Sequence, residues 1–535
     1  MRDQSRMHRV LHRIGFLASM VILGGCAGFP PGGGGILQEE IDAVISRPPL
    51  DQVNWGIRVA DPERGQILYS RHGHLKFVPA SNMKILATAT ALSLLGSEYR
   101  YRTDLLAVGT TEGEGELLDG DLVLLARGDP TFSERFFPTA EAPLDSLVAG
   151  LRASGIREVT GSLVVDVSAW DSTSIPGTWE VEDLPATYAA TGGAFSIAEG
   201  TLTVEVSAGE EPGAPATARW WPFLADEFIS VGYTTVHPDS SARGRQVQYL
   251  PESRRLRLAG KVRVGEVDTI RISQRDPVRL AAAALLRKVE DRGIRVMGGL
   301  RIAWDRGEPV GPGACVLGRA EAAGEEEAGV LTTLDAAGAD DWRLDSGLED
   351  CPDAVLLTRL LSPPLGEIVQ GILEPSQNWM TEQLVRTLGQ ELGREGSWEE
   401  GFRVERAFLT GEVGVDSLDI VLRDGSGMSA KNLVTPRSIV RILDYMRDSP
   451  LGGVFRNALA SPGEEDGTLR NRLRTLESRV FAKTGTITHV NSLSGYVFTD
   501  SGKELLFSIL TNGSGLPSGQ VRAGIDEVLR ILARL

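Results

Sequence analysis

Apolar residues follow a helical period in the outer parts of the chain and a strand period in the middle. Helix-like spacing begins at Ile36 and returns over Val278–Val289 and Val521–Leu535, because apolar positions three and four apart line one helix face. Two short β-like runs, Trp55–Ala60 and Ile67–Ser70, flank a turn containing Pro and Gly. This pattern predicts a hairpin.

The chain has 535 residues, which exceeds the roughly 250–300 residues that one hydrophobic core usually serves. Short alternating runs between Gly- and Pro-rich turns fill residues 103–273 and predict a β-rich insert of one or two small domains. Residues 36–102 and 274–535 share a mixed helix and strand texture, so we expect them to form one discontinuous domain. Its last predicted strands are Val480–Thr488, Gly495–Phe498 and Glu504–Leu510.

The N-terminus predicts export. Residues 1–25 contain a basic segment and an apolar run at 15–23. This run is shorter than the ~20 residues a spanning helix needs, but it suits a signal peptide. Leu23–Cys26 resembles a bacterial lipobox with Cys26 as the lipid anchor, followed by a flexible tether at residues 26–35. The alternative is an ordinary signal peptide with Cys26 incidental; both place the protein in the periplasm or cell envelope.

Composition and charge limit the classes of partner that we expect this chain to bind. The chain carries 72 acidic and 55 basic side chains, a net charge of -17, without a basic run. We therefore expect no nucleic-acid partner, because phosphate binding needs clustered Lys and Arg. The six His and three Cys form no Cys/His cluster, so no metal site is expected. Cys315 and Cys351 either form a disulfide in an oxidising compartment or remain unpaired, on either side of an acidic stretch at 321–350.

The first motif with chemical potential joins Ser81 and Lys84 at the start of a predicted helix that ends before Gly96. Residues three apart share a helix face, so the amine can reach the hydroxyl. The helix dipole favours an alkoxide at this end, and a lysine kept neutral by burial can accept the proton. Taken alone, Ser81 could equally be an ordinary helix cap.

Two further motifs follow in order. Ser376 and Asn378 precede a helical run, and Lys483–Thr486 lies in a predicted strand where Gly485 allows close approach of a ligand. Singly, these residues could be a helix cap and a solvated strand lysine. Together, the S-x-x-K, S-x-N and K-T-G set is typical of penicillin-recognising enzymes.

On these residues the chain resembles the class C low-molecular-mass penicillin-binding proteins, the D-alanyl-D-alanine carboxypeptidase/endopeptidase family (peptidase family S13, penicillin-binding protein 4 type). Other segments extend the resemblance over about residues 36–535: Gly128–Thr131, Asp166–Trp170, Asp183–Tyr188, Ser362–Ile368, Asp424–Gly427, Gly467–Leu469 and Asn491–Tyr496. The resemblance implies an α/β (α+β) transpeptidase/β-lactamase-like domain. This domain has a five-stranded antiparallel sheet with flanking helices and is interrupted by the β-rich insert.

The resemblance also implies roles. Ser81 attacks the carbonyl of the penultimate D-Ala of a peptidoglycan stem peptide, and Lys84 accepts its proton. Ser376 relays a proton to the leaving D-Ala, Asn378 holds the substrate amide, and Lys483 tunes Ser376.

The substrate-binding residues implied are Thr484, Gly485 and Thr486. β-Lactams are the implied inhibitors, and no cofactor is needed.

Three alternatives remain open at this point. A serine β-lactamase shares the acylation step, and a non-catalytic or slow peptidoglycan-binding scaffold lipoprotein could keep the fold. A Ser-His-Asp hydrolase would need His489 as its base, but no G-x-S-x-G elbow is present and Ser426 is better interpreted as part of a tight turn. Gln377 and His489 depart from the family pattern, and 321–350 has no clear counterpart in it.

Overall fold

The computed structural model describes residues 34–221, 229–241, 244–250, 252, 255–312, 315–317, 348 and 351–535. The predicted signal peptide, Cys26 and all of the acidic stretch except Leu348 lie outside the described residues. Within those residues, no helix has both the length and the apolar character that crossing a bilayer requires.

The helices of the described residues are α1 (Gly34–Ile45), α2 (Met83–Leu95), α3 (Ala142–Ala153), α4 (Pro277–Asp291), α5 (Leu365–Leu373), α6 (Asn378–Leu392), α7 (Trp398–Gly411), α8 (Pro436–Asp448), α9 (Gly452–Ala458) and α10 (Ser518–Ala533). The tether predicted at 26–35 thus ends inside the first turn of α1.

The strands are β1 (Asn54–Asp61), β2 (Gln66–Arg71), β3 (Arg102–Glu112), β4 (Leu117–Leu125), β5 (Glu158–Val159), β6 (Leu163–Asp166), β7 (Thr201–Ser207), β8 (Thr217–Trp221), β9 (Ile229–Val236), β10 (Arg245–Leu250), β11 (Arg255–Arg263), β12 (Val267–Ser273), β13 (Arg295–Val296), β14 (Leu300–Ala303), β15 (Ala354–Leu361), β16 (Ile420–Val421), β17 (Leu433–Val434), β18 (Val480–Ile487), β19 (Val490–Phe498) and β20 (Glu504–Asn512).

The main sheet is antiparallel, with the strand order β18-β19-β20-β1-β2. It joins the predicted N-terminal hairpin to the three predicted C-terminal strands. Alternate residues of β20 point to opposite faces: Leu505, Phe507 and Ile509 pack with α1 and α10, whereas Leu506 and Leu510 pack with α2, α6 and α8. Helices therefore cover both faces, as expected.

The insert has its own sheet and core. Strands β13-β5-β4-β3-β15, with β6 and β14 attached through β4, form a seven-stranded sheet. Helices α3 and α4 bury their apolar faces against it. Strands β7 to β12 form two three-stranded sheets with a separate small core. The predicted β-rich insert is confirmed.

The predicted end of the insert at residue 273 is wrong. Strand β15 pairs antiparallel with β3, and Ala281 and Leu285 of α4 lie in the same core as Leu144 of α3. The insert therefore extends to Leu361. The apolar face of α4 has a helical period whichever sheet it covers, so the sequence pattern could not assign this helix to one domain or the other.

Candidate active site

Ser81 is the middle residue of a single 3₁₀ turn, Ala80–Asn82, directly before α2. The first residue of this turn has φ 49°, a left-handed conformation that is uncommon outside glycine. The Asn82 amide donates to the Lys483 carbonyl (3.0 Å) and to Ser492 Oγ (2.9 Å). These bonds to β18 and β19 hold the serine turn against the edge of the main sheet.

Lys84 lies one position inside α2 and is completely buried. Its Nζ donates to Ser81 Oγ at 3.1 Å, Asn378 Oδ1 at 2.7 Å and the Ser426 carbonyl at 2.6 Å. Burial lowers the pKa of Lys84 to about 7, although Glu382 and Asp424 act to raise it. A lysine with this pKa is partly neutral at physiological pH and can serve as a general base.

Lys483 is the second buried lysine of the site. It lies on β18 with no exposed surface, and its Nζ donates to the Thr484 carbonyl at 3.2 Å. Burial and the nearby Lys84 lower the pKa of Lys483 well below the usual lysine value. A positive charge on Lys84 therefore makes protonation of Lys483 less favourable.

Strand β18 forms the edge of the main sheet beside the serine turn. A Cβ on Gly485 would lie 2.9 Å from Ser81 N, so only glycine allows this close approach. Ala482 N donates to the Ala460 carbonyl, away from β19. Because successive N–H groups of a strand alternate in direction, the N–H of Thr486 also faces the open edge, where an oxyanion can be bound.

The two threonines of this strand make polar contacts with different neighbours, Thr468 and Asn491 of β19. Thr484 Oγ1 donates to Thr468 Oγ1 at 2.8 Å, and Thr486 Oγ1 lies 3.5 Å from Asn491 Oδ1. Thr468 belongs to Gly467–Leu469, one of the segments that carry the family resemblance, and no role was predicted for it. Its position shows a third hydroxyl beside the predicted substrate-binding residues.

Asn378 is the first residue of α6 and joins the insert to the site. Its Oδ1 accepts from Lys84, and its Nδ2 donates to the Tyr188 carbonyl of the insert at 2.8 Å. Ser376 precedes the helix with φ 68°, and within the described residues its hydroxyl makes no hydrogen bond to Ser81, Lys84 or Lys483. The structure thus brings Lys84 into direct contact with both Ser81 and Asn378, whereas among the residues it describes it shows no such contact for Ser376.

Gln377, a departure from the family pattern, has a structural role. Its Oε1 accepts from Met380 N at 3.1 Å and caps α6, while its Nε2 donates to Glu199 Oε2 of the insert at 2.7 Å. His489 has its Nδ1 2.8 Å from the Ser514 carbonyl. Among the described residues, it is not placed as the base of a Ser-His-Asp triad.

A pair of buried carboxylates, Glu382 and Asp424, lies behind Lys84 and was not predicted from the sequence. Glu382 accepts from Gly425 N (3.0 Å) and Ser426 N (2.7 Å). Asp424 accepts from Gly427 N (2.8 Å) and, across the domain boundary, from Trp179 Nε1 (2.9 Å). One signal was available, because Glu382 follows Asn378 by four positions and so shares its helix face.

The two predicted disulfide cysteines lie away from this centre. Cys315 and Cys351 form a disulfide with Cα atoms 5.5 Å apart, next to the insert sheet. Cys26 lies outside the described residues. In the part of the chain that the structure describes, no group of three His, Cys, Asp or Glu side chains is arranged to hold a metal ion.

The fold and the serine–lysine pair define the class of penicillin-recognising serine enzymes. The family model of the D-Ala-D-Ala carboxypeptidase 3 (S13) family matches residues 37–310 and 347–535. The chain belongs to this family, and the resemblance stated from its motifs is confirmed.

Individual relatives support the same family assignment. The chain is 33% identical over 492 residues to the D-alanyl-D-alanine carboxypeptidase of Actinomadura sp. strain R39, covering 90% of this chain and 82% of that one. It is 24% identical over 477 residues to D-alanyl-D-alanine carboxypeptidase DacB of Haemophilus influenzae, covering 86% and 85%. The crystal structure of penicillin binding protein 4 (dacB) from Haemophilus influenzae superposes with a TM-score of 0.71 at 22% identity, covering 92% of this chain and 99% of that one. This likeness confirms the fold.

Proposed function

We propose that this protein is a serine-type D-Ala-D-Ala carboxypeptidase/endopeptidase that acts on peptidoglycan stem peptides and is inhibited by β-lactams. The observation that carries the proposal is the buried Lys84 amine 3.1 Å from Ser81 Oγ. Membership of the S13 family supports the substrate class, since the relative from Actinomadura is named a D-alanyl-D-alanine carboxypeptidase.

The first half-reaction forms an acyl-enzyme. Neutral Lys84 takes the Ser81 proton as Oγ bonds to the carbonyl carbon of the penultimate D-Ala, and the N–H groups of Ser81 and Thr486 receive the oxyanion. Such donors typically contribute ~10²–10³ in rate each. The C–N bond then breaks as Ser376 gives its hydroxyl proton to the nitrogen of the departing D-Ala, and protonated Lys84 returns a proton to Ser376. Lys84, now neutral, takes a proton from the water that attacks the ester, and this proton passes to Ser81 Oγ as the second product leaves.

Substrate binding uses the edge of β18. The carboxylate of the terminal D-Ala is held by the hydroxyls of Thr484 and Thr486, within the positive field of Lys483, while Gly485 lets the strand lie close to Ser81. Asn378 binds the substrate amide. An extended peptide on this edge adds to the sheet as a further strand.

The proposed location is the periplasm or cell envelope, after removal of residues 1–25, with a lipid on Cys26. Palmitate labelling of intact cells tests the anchor, and Cys26→Ala should abolish the label. Label that survives this substitution would contradict the lipid anchor and leave export to be tested separately.

The central test is labelling of the mature protein with a fluorescent penicillin, beside a Ser81→Ala variant, with intact-mass detection. We expect a long-lived adduct on the wild type, none on Ser81→Ala, and release of D-Ala from a pentapeptide stem by the wild type alone. Rapid drug hydrolysis would favour a β-lactamase. The absence of both adduct and D-Ala release would favour the non-catalytic scaffold.

A further inference from the structure

Glu382 binds the loop that contacts Lys84. It lies on α6 with 3% of its surface exposed. Its two carboxylate oxygens accept the backbone N–H groups of Gly425 and Ser426, and Trp398 Nε1 donates to Oε2 at 2.8 Å. Backbone donors on a buried carboxylate give short, charge-assisted bonds, so the loop is fixed to α6 at two consecutive residues.

Ser426 connects this carboxylate to the general base. Its N–H bonds Glu382, and its carbonyl accepts from Lys84 Nζ at 2.6 Å. The Lys84 amine is thus held between that carbonyl, Asn378 and Ser81. If the loop shifted, the amine would lose one of the two acceptors that direct it towards Ser81.

The charges facing this pair come from every neighbouring element. Lys84 faces Lys483 of β18, and Glu382 faces Asp424 of the loop and Glu405 of α7, with Arg386 one turn along its own helix. Burial and Asp424 raise the pKa of Glu382 to about 7, against the lowering effect of its hydrogen-bond donors. The Glu382 charge in turn raises the pKa of Lys84.

We propose that Glu382 is a positioning residue for the general base: it holds the backbone N–H groups of Gly425 and Ser426 so that the Ser426 carbonyl orients the Lys84 amine. This inference rests on the proposed function, because it assigns Glu382 a part in the same acylation step.

The test is the pH profile of acylation by a fluorescent penicillin between pH 5 and 9, for the wild type, Glu382→Gln and Glu382→Asp. The acid limb is the low-pH part of the profile, where the acylation rate rises with pH as Lys84 loses its proton. The Glu382 carboxylate raises the pKa of Lys84, so Glu382→Gln should lower that pKa and move the acid limb to lower pH. The amide cannot accept from all three donors, so the plateau should fall about 10- to 100-fold, as misplaced catalytic groups typically cause. Glu382→Asp keeps the negative charge on a shorter side chain. The acid limb of its pH profile should therefore stay in place while its plateau rate of acylation falls.

Glu405→Gln is the matched control, because it changes a buried carboxyl at the α6–α7 interface that does not contact the loop. It should leave the acid limb in place. A plateau rate that neither Glu382→Gln nor Glu382→Asp lowers would overturn the proposal, as would an acid limb that Glu405→Gln moves as far as Glu382→Gln does. If Glu382→Gln does not fold, judged by thermal unfolding, the plateau rate of Glu382→Asp decides.

Ser81→Ala, measured in parallel, separates the positioning role of Glu382 from the proposed function. Labelling that persists in Ser81→Ala contradicts the proposed function itself.

Discussion

Burial lowers the pKa of a lysine and raises the pKa of carboxyl groups in this molecule. It favours the neutral amine at Lys84 and the protonated carboxyl at Glu382 and Glu405, because a low-dielectric interior penalises whichever form is charged. At Lys84 and Glu382 hydrogen bonds offset that penalty. Glu405 has 0% exposure, and among the described residues neither of its carboxylate oxygens has a hydrogen-bond partner. A buried polar group without a partner carries a desolvation cost that folding must overcome.

We predict that Glu405→Met raises the urea midpoint of unfolding, and more so at pH 8 than at pH 5. Burial raises the pKa of Glu405 from 4.5 to about 8. The folded state therefore holds a proton that the unfolded state releases, and its stability falls as pH rises through this window. Glu399→Met, on the exposed side of the same helix, should show no such pH dependence. Equal midpoint shifts at both pH values would contradict this account.

At the level of elements, the site depends on how closely β18 approaches the turn before α2. Gly485 provides that approach, since an added Cβ would lie 2.9 Å from both Pro79 O and Ser81 N. Backbone atoms at such distances cannot move aside as a flexible side chain can. The strand and the turn must therefore separate if Gly485 gains a side chain.

We predict that Gly485→Ala lowers the rate of penicillin acylation by about 100-fold, the size of loss that a displacement of roughly 1 Å can cause. The thermal midpoint should fall only modestly, because the change lies at a sheet edge. Gly519→Ala in α10, where nothing lies within 4 Å of the added Cβ, is the control and should acylate normally. An acylation rate in Gly485→Ala equal to that of the control would show that the close approach is unnecessary.

Across the whole molecule, local patterns predicted the elements but not every partner. The first hairpin, the helix after Ser81 and the last three strands were predicted because period and turn residues are local. The return of β15 to β3 joins residues about 250 positions apart, with Arg102 opposite Leu361, and no local pattern encodes that pairing. Glu382 was missed for a related reason: its burial depends on N–H groups 43 and 44 positions away.

The insert also contacts the site from a distance along the chain. Trp179 donates to Asp424, the Tyr188 carbonyl accepts from Asn378, and Glu199 accepts from Gln377. Two of these three contacts reach groups that touch Lys84 directly or through the Asp424–Ser426 loop. The insert therefore belongs to the hydrogen-bonded scaffold that surrounds Lys84.

We predict that Trp179→Phe, which keeps the ring packing but removes the N–H, lowers the penicillin acylation rate by about 3- to 10-fold. Asp424 retains its bonds from Gly427 N, Ser429 N and Asn432 Nδ2, so the loop should loosen rather than detach. The expected loss corresponds to about 0.7–1.4 kcal/mol, within the ~0.5–1.5 kcal/mol that one hydrogen bond contributes. Trp221→Phe on β8 of the insert, with 41% of its surface exposed, should leave the rate unchanged. Equal acylation rates in Trp179→Phe and Trp221→Phe, with a lowered rate in Asn378→Ala, would contradict this prediction. The insert would then act on the site through the Tyr188 contact alone, and the Trp179 bond would only attach the insert to the loop.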